Sequence, residues 1–213
     1  MVQSIFITGI GTDTGKTLIS AILAEAMKAD YWKPVQAGFD KGTDSQWVKS
    51  MLTNTVSEVH PEAYKFKLPA SPHIAARNED MEISLETIFA SYSAFLHKDS
   101  SVIIEGAGGL MVPLNETEFV CDLIRKLNSR VILVSRNYLG SINHSILTAQ
   151  VCRQKNIRVL GWIFNDQFMD YEDDIVRWTG YPKLGSVPKL DVINKEVIRE
   201  EAEKMKANLS KIL

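Results

Sequence analysis

The feature that most constrains this chain is a glycine-rich segment, GIGTDTGKT at residues 9–17, which lies between a short apolar run and an amphipathic stretch. The apolar run at residues 3–8 predicts a buried strand, and the periodicity after the segment predicts a helix over residues 16–29. At such a turn, backbone N–H groups and the helix N-terminus attract phosphate oxygens. The segment therefore predicts a nucleotide-binding P-loop, in which Lys16 contacts the β- and γ-phosphates and Thr17 offers its hydroxyl to Mg²⁺.

The spacing of this loop leaves one alternative open. The common form has four residues between its two defining glycines, whereas five separate Gly9 from Gly15 here. A glycine-rich turn with a chance Gly-Lys-Thr is therefore the competing interpretation, although the setting between a strand and a helix favours nucleotide binding.

Strand-like and helix-like segments alternate along the rest of the chain, with no internal repeat and no linker. Alternation of this kind predicts βαβ units. We expect an α/β fold, a single P-loop domain over residues 1–213 with a mostly parallel β-sheet and helices on both faces. Ligands of such sheets bind beyond the C-terminal ends of the strands. The remaining predicted strands cover 30–35, 101–105, 130–135, 157–164 and 183–187, and the remaining helices cover 43–53, 84–97, 118–127, 141–154, 170–179 and the segment from 198.

Composition excludes several classes of partner. Lys and Arg total 24 against 26 Asp and Glu, a net charge of −2, so no basic excess attracts nucleic acid or an anionic membrane. The longest aliphatic runs, such as 131–134, are far shorter than the ~20 residues of a membrane span. With no cationic leader at the N-terminus, a cytoplasmic location is expected, and Cys121 and Cys152 are expected to stay reduced there.

Two charged residues are predicted to lie at strand ends, where a P-loop protein binds its nucleotide. Pro34 restricts Lys33 to an extended conformation and stops the second strand, which predicts that Lys33 lies near the γ-phosphate; a solvated surface lysine is the alternative. Glu105 ends the buried run SVIIE, at the position where an acid reaches Mg²⁺ in P-loop proteins; a turn-capping carboxylate is the alternative. Asp44 taken alone is interpreted as a helix N-cap.

Two P-loop classes are disfavoured by what the chain lacks. A GTP-dependent switch needs a base-reading Asn-Lys-x-Asp motif, and the sequence contains none. Partition and nitrogenase-reductase ATPases carry a second lysine early in the loop, where this chain has Ile10, Gly11 and Thr12.

From Thr8 to about Leu190 the chain resembles dethiobiotin synthase through a series of motifs in the same order. After TGIGTDTGKT these are YWKPVQAG, the Asp44 segment, SPHIAA at 71–76, EGAGGLMVPL at 105–114, VILVSRNYLGSINHSILTAQV at 131–151, GWIFND at 161–166 and VPKL at 187–190. EGAGG and LGSINH are much more specific than the P-loop.

This resemblance implies an ATP- and Mg²⁺-dependent ligase that acts on 7,8-diaminopelargonate and CO₂. One amine becomes a carbamate, the carbamate attacks the γ-phosphate of ATP, and the second amine closes a cyclic urea and expels phosphate. Negative charge accumulates on carbamate and phosphate together, which requires cations. The resemblance also implies a homodimer with shared active sites.

The resemblance implies roles for individual residues as well. Lys33 bridges carbamate and γ-phosphate, Lys16 holds the phosphates, and Thr12 lies near the reacting carbamate. Thr17, Asp44 and Glu105 surround Mg²⁺, and Asn165 with Asp166 reads the adenine edge. The implied nucleotide-binding set is Asp13, Thr14, Gly15, Lys16, Thr17, Leu18, Asp44, Glu105, Gly106, Ala107, Gly108, Asn165, Asp166, Val187, Pro188 and Lys189, and the implied substrate-binding set is Lys33, Ala37, Gly109, Leu139, Gly140, Ser141, Ile142 and Asn143.

Three departures from the family pattern limit how far the family's residue roles apply to this chain. Ala37 stands where a Ser or Thr is usual, which removes a hydroxyl near the substrate. Lys189 replaces an aromatic or neutral residue, and the segment 190–196 lacks a clearly placed acid, so weak discrimination between nucleotide bases is expected. Two other functions stay open: a related amidating ligase, such as a cobyrinate synthetase, and a non-catalytic nucleotide-dependent adaptor.

Overall fold

The computed structural model describes residues 3–96, 101–166 and 169–209. In chain order the elements are β1 (Gln3–Gly9), α1 (Lys16–Met27), β2 (Asp30–Trp32), β3 (Val35–Ala37), α2 (Asp44–Met51), β4 (Val59–His60), β5 (Tyr64–Phe66), α3 (Pro72–Arg77), α4 (Leu85–Phe95), β6 (Ser101–Gly109), α5 (Val120–Lys126), β7 (Arg130–Arg136), α6 (Ser141–Gln154), β8 (Val159–Asn165), α7 (Glu172–Thr179), β9 (Lys183–Val187) and α8 (Lys195–Leu209).

The main sheet contains seven strands in the order β4-β2-β6-β1-β7-β8-β9. Each of its strand pairs is parallel, which confirms the predicted α/β class with a parallel sheet. Strand β1 lies between β6 and β7, so the loop that follows it opens at the centre of the C-terminal edge. Strands β3 and β5 form a separate parallel pair beside this edge.

The core is divided by the sheet into two apolar layers, because successive strand residues point to opposite faces. One layer packs Phe6, Ile104 and Leu133 against helices α3 to α7. The other packs Ile5, Ile103 and their neighbours against α1, α2 and α8. Helices therefore cover both faces, as predicted for a sheet whose strands are almost uniformly apolar.

Several predicted boundaries are wrong for identifiable reasons. The strand predicted at 30–35 breaks after Trp32, because Pro34 has no N–H to donate, and the chain continues as β3 in the smaller sheet. The strand predicted to end at Glu105 continues through Gly109, paired with β1 across a register shift. Strands β4 and β5 were not among the predicted elements, since each has three residues or fewer and little periodicity.

The amphipathic stripe near the C-terminus forms the buried side of α8. Ile198, Ala202, Met205 and Leu209 are buried against α1 and β9, whereas Ile212 and the predicted helix end at His97 fall outside the described residues. Within the described ranges, no helix is long and apolar enough to cross a membrane.

Candidate active site

The glycine-rich loop turns directly into α1, as the sequence predicts. Gly15 precedes the helix with a φ of 88°, a left-handed conformation that favours glycine, and α1 begins at Lys16. The Lys16 side chain folds back over the loop, where its Nζ donates to the carbonyl oxygen of Gly11 at 2.9 Å. The ammonium group and the N-terminus of α1 therefore face the same space.

Glu105 is almost completely buried, with 1% of its surface exposed, and three side chains donate to its carboxylate. Thr17 Oγ1 and Lys33 Nζ donate to Oε1 at 2.8 and 2.9 Å. Tyr31 OH donates to Oε2 at 2.8 Å. A buried carboxylate is costly unless it is paired and hydrogen-bonded, and these contacts meet both conditions.

Asp44 joins the same cluster from α2. Thr43 is the N-cap of this helix, and its side chain forms a reciprocal capping box with Gln46. The alternative that Asp44 itself is the N-cap is therefore wrong: Asp44 is the first helical residue, and its carboxylate is free to accept a hydrogen bond from Lys33 Nζ. Lys33 thus bridges Asp44 and Glu105, and the alternative of a solvated surface lysine is also wrong because Lys33 is buried.

The two lysines of this cluster differ in their proton affinity. Burial lowers the pKa of Lys16 to about 8, although Glu105 partly offsets the effect. Burial acts in the same direction on Lys33, but contacts with Glu105 and Asp44 outweigh it and raise the pKa of that ammonium. Both cations are thus available near neutral pH, and Lys16 is the more readily deprotonated.

These groups line one cavity of about 790 Å³ at the C-terminal edge of the sheet. Of the predicted site residues, the cavity brings together Thr12, Asp13, Gly15, Lys16, Thr17, Lys33, Ala37, Asp44, Glu105, Ala107 and Gly108, and it also includes Gln36, Val112 and the turn at 69–72. Phosphate-binding, metal-binding and substrate-binding candidates therefore share one space.

A second, apolar cavity of about 330 Å³ abuts the first, and Thr12 and Val112 line both. Gly109 lies on this second side, with Leu110, Met111 and residues of α6. Gly106 has a different surrounding: a Cβ there would lie 2.7 Å from Phe6 Cε1. The absence of a side chain at Gly106 therefore allows close packing of β6 against the Phe6 ring of β1.

The predicted base-binding residues lie at the ends of β8 and β9, beside the P-loop and outside the large cavity. Asn165 Nδ2 donates to the carbonyl oxygen of Thr14 at 3.1 Å. Asp166 pairs with the guanidinium of Arg136 at 3.2 and 3.0 Å, and its N–H donates to the carbonyl oxygen of Val187 at 3.0 Å. Pro188 and Lys189 follow Val187 and are exposed. Leu18, in α1, packs against the apolar layer around that helix.

The segment Leu139–Asn143 does not line the large cavity of its own chain. It forms the turn between β7 and α6, with Gly140 as the N-cap of the helix. Leu139 is 91% exposed, whereas Ser141 is buried and pairs with Tyr171 OH at 2.7 Å. This helix N-terminus therefore lies outside the cavity that Lys16 and Lys33 line in the same chain.

Two residues of the cluster were not found from the sequence. Tyr31 contacts Glu105, and its period-two spacing from Lys33 is a signal that would have placed both side chains on one face of the strand. Gln36 accepts the N–H of Asp44 at 3.2 Å and donates to the carbonyl oxygen of Gly38 at 2.8 Å. Its role depends on how β3 packs against the start of α2, which local sequence patterns do not predict.

The oxygen groups of the cluster suit Mg²⁺. One hydroxyl and two carboxylates, from Thr17, Asp44 and Glu105, are linked through direct contacts to Lys33 or to each other. Mg²⁺ prefers hard oxygen ligands and is usually held by one or two carboxylates together with substrate phosphates. Over the described residues there is no group of three or more His, Cys, Asp or Glu side chains that could hold a metal.

Comparisons with known proteins identify the family. A family model described as an AAA domain matches residues 3–197. The ATP-dependent dethiobiotin synthetase of Cytophaga hutchinsonii is 49% identical over 94% of this chain and 95% of its own length. The chain belongs to the dethiobiotin synthetase family. Another dethiobiotin synthetase, from Christiangramia forsetii, is 41% identical over the full length of both chains.

Solved structures of other proteins share this fold. The Aquifex aeolicus MinC:MinD cell division complex matches with a TM-score of 0.64 at 11% identity, covering 98% of this chain and 95% of that one. A putative plasmid partition protein from Borrelia burgdorferi matches with a TM-score of 0.61 at 13% identity and 99% coverage of both chains. At these identities the likeness concerns the fold alone.

Proposed function

We propose that this chain is an ATP-dependent dethiobiotin synthetase that forms dethiobiotin, ADP and phosphate from 7,8-diaminopelargonate, CO₂ and ATP with Mg²⁺. The observation that carries this proposal is the convergence of Lys16, Lys33, Thr17, Asp44 and Glu105 on one cavity. Membership of the family supplies the substrate, because its members are named for this product.

The proposed reaction needs two anions in contact. One amine adds to CO₂ and loses a proton, giving a carbamate. A carbamate oxygen then attacks the γ-phosphorus, the bond to the ADP oxygen breaks, and a carbamic–phosphoric anhydride forms. The second amine attacks the anhydride carbon, closes the five-membered urea, loses a proton and expels phosphate.

The lysines supply the positive charge for these steps. Lys16 Nζ lies over the loop beside the helix N-terminus, where it suits the β- and γ-phosphates. Lys33 Nζ lies deeper, between Asp44 and Glu105, and we assign it to the carbamate and the γ-phosphate. In a cavity that excludes water such preorganised charges stabilise the transition state strongly. Thr12, at the boundary of the two cavities, is assigned to orient the carbamate.

Thr17, Asp44 and Glu105 are assigned to Mg²⁺, which would neutralise charge on the phosphates and orient them. The base is assigned to the ends of β8 and β9, where Asn165 and Asp166 lie next to Val187, Pro188 and Lys189. The diamine is assigned to the junction of the two cavities, with Ala37 in the large cavity and Gly109 in the apolar one.

We also propose a homodimer in which Leu139–Asn143 of one subunit serves the active site of the other. A helix N-terminus suits a carboxylate, and this one lies outside the cavity that the phosphate-site residues of its own chain line. The exposed apolar side chains Leu139, Met111 and Leu147, together with the apolar cavity beside the loop, support an interface on this face.

The deciding experiment is phosphate release from ATP with each substrate omitted in turn. A dethiobiotin synthetase releases phosphate only when both the diamine and bicarbonate are present. Lys16→Ala should abolish the release while circular dichroism stays unchanged, since Lys16 is the first residue of α1 and its side chain lines the large cavity and is not part of the apolar core. Release that ignores the diamine and bicarbonate would support a nucleotide-dependent adaptor instead, and release that depends on ammonia and another acid would support an amidating ligase.

A further inference from the structure

The hydroxyl of Tyr31 is placed inside the core against the carboxylate that we assign to Mg²⁺. Tyr31 is fully buried and lies in the apolar layer between the sheet and α1. Tyr31 pairs with Ile103 in the parallel register of β2 and β6. Glu105 lies two residues after Ile103 in β6, so the side chains of Tyr31 and Glu105 are on the same face of the sheet. The hydroxyl donates to Glu105 Oε2 at 2.8 Å.

The two oxygens of Glu105 are thereby divided between two environments. Oε1 accepts from Thr17 and Lys33, which line the large cavity. Oε2 accepts from Tyr31, which does not line it. Since the carboxylate group is planar and pivots about a single bond, a donor that fixes one oxygen also fixes the direction of the other.

We propose that Tyr31 is a positioning residue that holds Glu105 with Oε1 directed into the cavity and so sets the affinity of the site for Mg²⁺. This inference rests on the proposed metal role of Glu105. Partners that orient a ligating carboxylate from behind change metal affinity by about 10–100-fold when they are lost. A phenylalanine has nearly the same shape and lacks only the donor, so Tyr31→Phe isolates this contact.

The test measures ADP binding by calorimetry over a range of Mg²⁺ concentrations, with no turnover required. Mg²⁺ is expected to increase the affinity for ADP, and Tyr31→Phe should raise the Mg²⁺ concentration that gives half of this increase by about tenfold or more. In EDTA, the affinity of the variant for ADP should stay within about twofold of wild type. The matched control is Tyr92→Phe. Tyr92 is also buried and its hydroxyl bonds to Ser4, at the opposite end of β1 from the loop, so this variant should show the wild-type Mg²⁺ dependence.

A double-mutant cycle separates positioning from packing. In a Glu105→Gln background the carboxylate is absent, so adding Tyr31→Phe should shift the Mg²⁺ dependence by less than about twofold. The cycle also provides a folded comparison if Tyr31→Phe alone is unstable, because E105Q removes the buried charge that the tyrosine stabilises.

Four results would overturn the inference. A Tyr31→Phe protein with a lower melting temperature and an unchanged Mg²⁺ titration would show that the hydroxyl serves stability alone. An equal Mg²⁺ shift in the wild-type and E105Q backgrounds would show that Tyr31 does not act through Glu105. If the ADP affinity of the wild-type protein does not depend on Mg²⁺, the metal assignment under the proposed function is overturned as well. If the wild-type affinity depends on Mg²⁺ and the Tyr31→Phe titration superimposes on it, only the role of Tyr31 is overturned.

Discussion

Lys33 Nζ lies 2.9 Å from Glu105 Oε1, and the same ammonium group contacts the carboxylate of Asp44. This pairing joins the end of β2 to the middle of β6 and to the first residue of α2. The lysine that we assign to the carbamate and the acids that we assign to Mg²⁺ therefore belong to one buried charge network, in which each member affects the others.

Removal of Lys33 should destabilise the protein in a way that Mg²⁺ corrects. Lys33→Met leaves two carboxylates facing each other with one of them buried, and breaking such a pair costs roughly 3 kcal/mol of unfolding free energy. In EDTA the variant should melt below wild type, and Mg²⁺ should raise its melting temperature more than that of wild type, while phosphate release falls at least ~100-fold. Lys41→Met, on the exposed loop before α2, is the control. Equal Mg²⁺ effects on wild type and Lys33→Met would contradict the shared network.

Lys16 should lower stability at neutral pH, in exchange for its role in phosphate binding. Its pKa is about 8 in the folded protein against 10.5 for an ordinary lysine, so the unfolded chain binds the proton more tightly. The resulting loss of unfolding free energy is fully present below about pH 8 and decreases as the pH rises from about 8 towards 10.5. Lys16→Met should therefore unfold with roughly 1–3 kcal/mol more free energy at pH 7, and this advantage should shrink towards pH 10.

Urea unfolding at several pH values measures this difference, with Lys49→Met on the exposed side of α2 as the matched control. The control should change stability little at either pH. A constant difference between wild type and Lys16→Met from pH 7 to pH 10 would mean that Lys16 is not desolvated in solution. Lys16→Met should also lose ADP binding, and this loss would show that the Lys16 side chain contributes to the phosphate site.

Discrimination among ATP, GTP and CTP is expected to be weak. Asn165 already donates one N–H to the loop, and Oδ2 of Asp166 is paired with Arg136, so only part of the hydrogen-bonding capacity of each residue remains for a base. The kcat/KM values for the three nucleotides should lie within about 10³ of one another, or ~4 kcal/mol. Arg136→Ala should free Asp166 for the N–H groups of guanine and raise the GTP/ATP ratio by about tenfold. A preference for ATP above 10³ would place base recognition on other residues.

The proposed shared active site predicts recovery of activity between two inactive variants. Lys33→Ala damages the phosphate end of the site, and Asn143→Glu adds a carboxylate to the helix start proposed for the substrate carboxylate. Asn143 is exposed and is the third residue of α6, where a glutamate does not disturb the helix. It is a cleaner change than Gly140→Glu, because Gly140 has a φ of 106° that strains other residues.

Each homodimer should be nearly inactive, and their mixture should recover activity. Random reassociation yields about half heterodimers, each with one undamaged site of two, so activity should approach a quarter of wild type. Asn143→Gln, which adds no charge, is the control and should lose much less activity than Asn143→Glu. If the mixture stays inactive after verified subunit exchange, each site lies within one chain and the assignment of Leu139–Asn143 is wrong.

Local pattern in the sequence determined the fold class and the phosphate loop. Strand-to-helix alternation and the GIGTDTGKT segment depend on residues near each other in the chain, and the order β1, loop, α1 follows from them directly. The placement of Lys33 and Glu105 at one edge also followed, because parallel strands expose their C-terminal ends together.

Only the tertiary structure decided how these groups contact one another. The pairing of β2 with β6 brings Tyr31 within hydrogen-bond distance of Glu105, and the capping box of α2 directs Asp44 to Lys33. Likewise, Asn165 lies 151 positions from Thr14 in the chain and bonds to it. Such contacts join residues whose separation in sequence carries no geometric information. Their distances depend on strand register and helix packing, which the whole core fixes collectively.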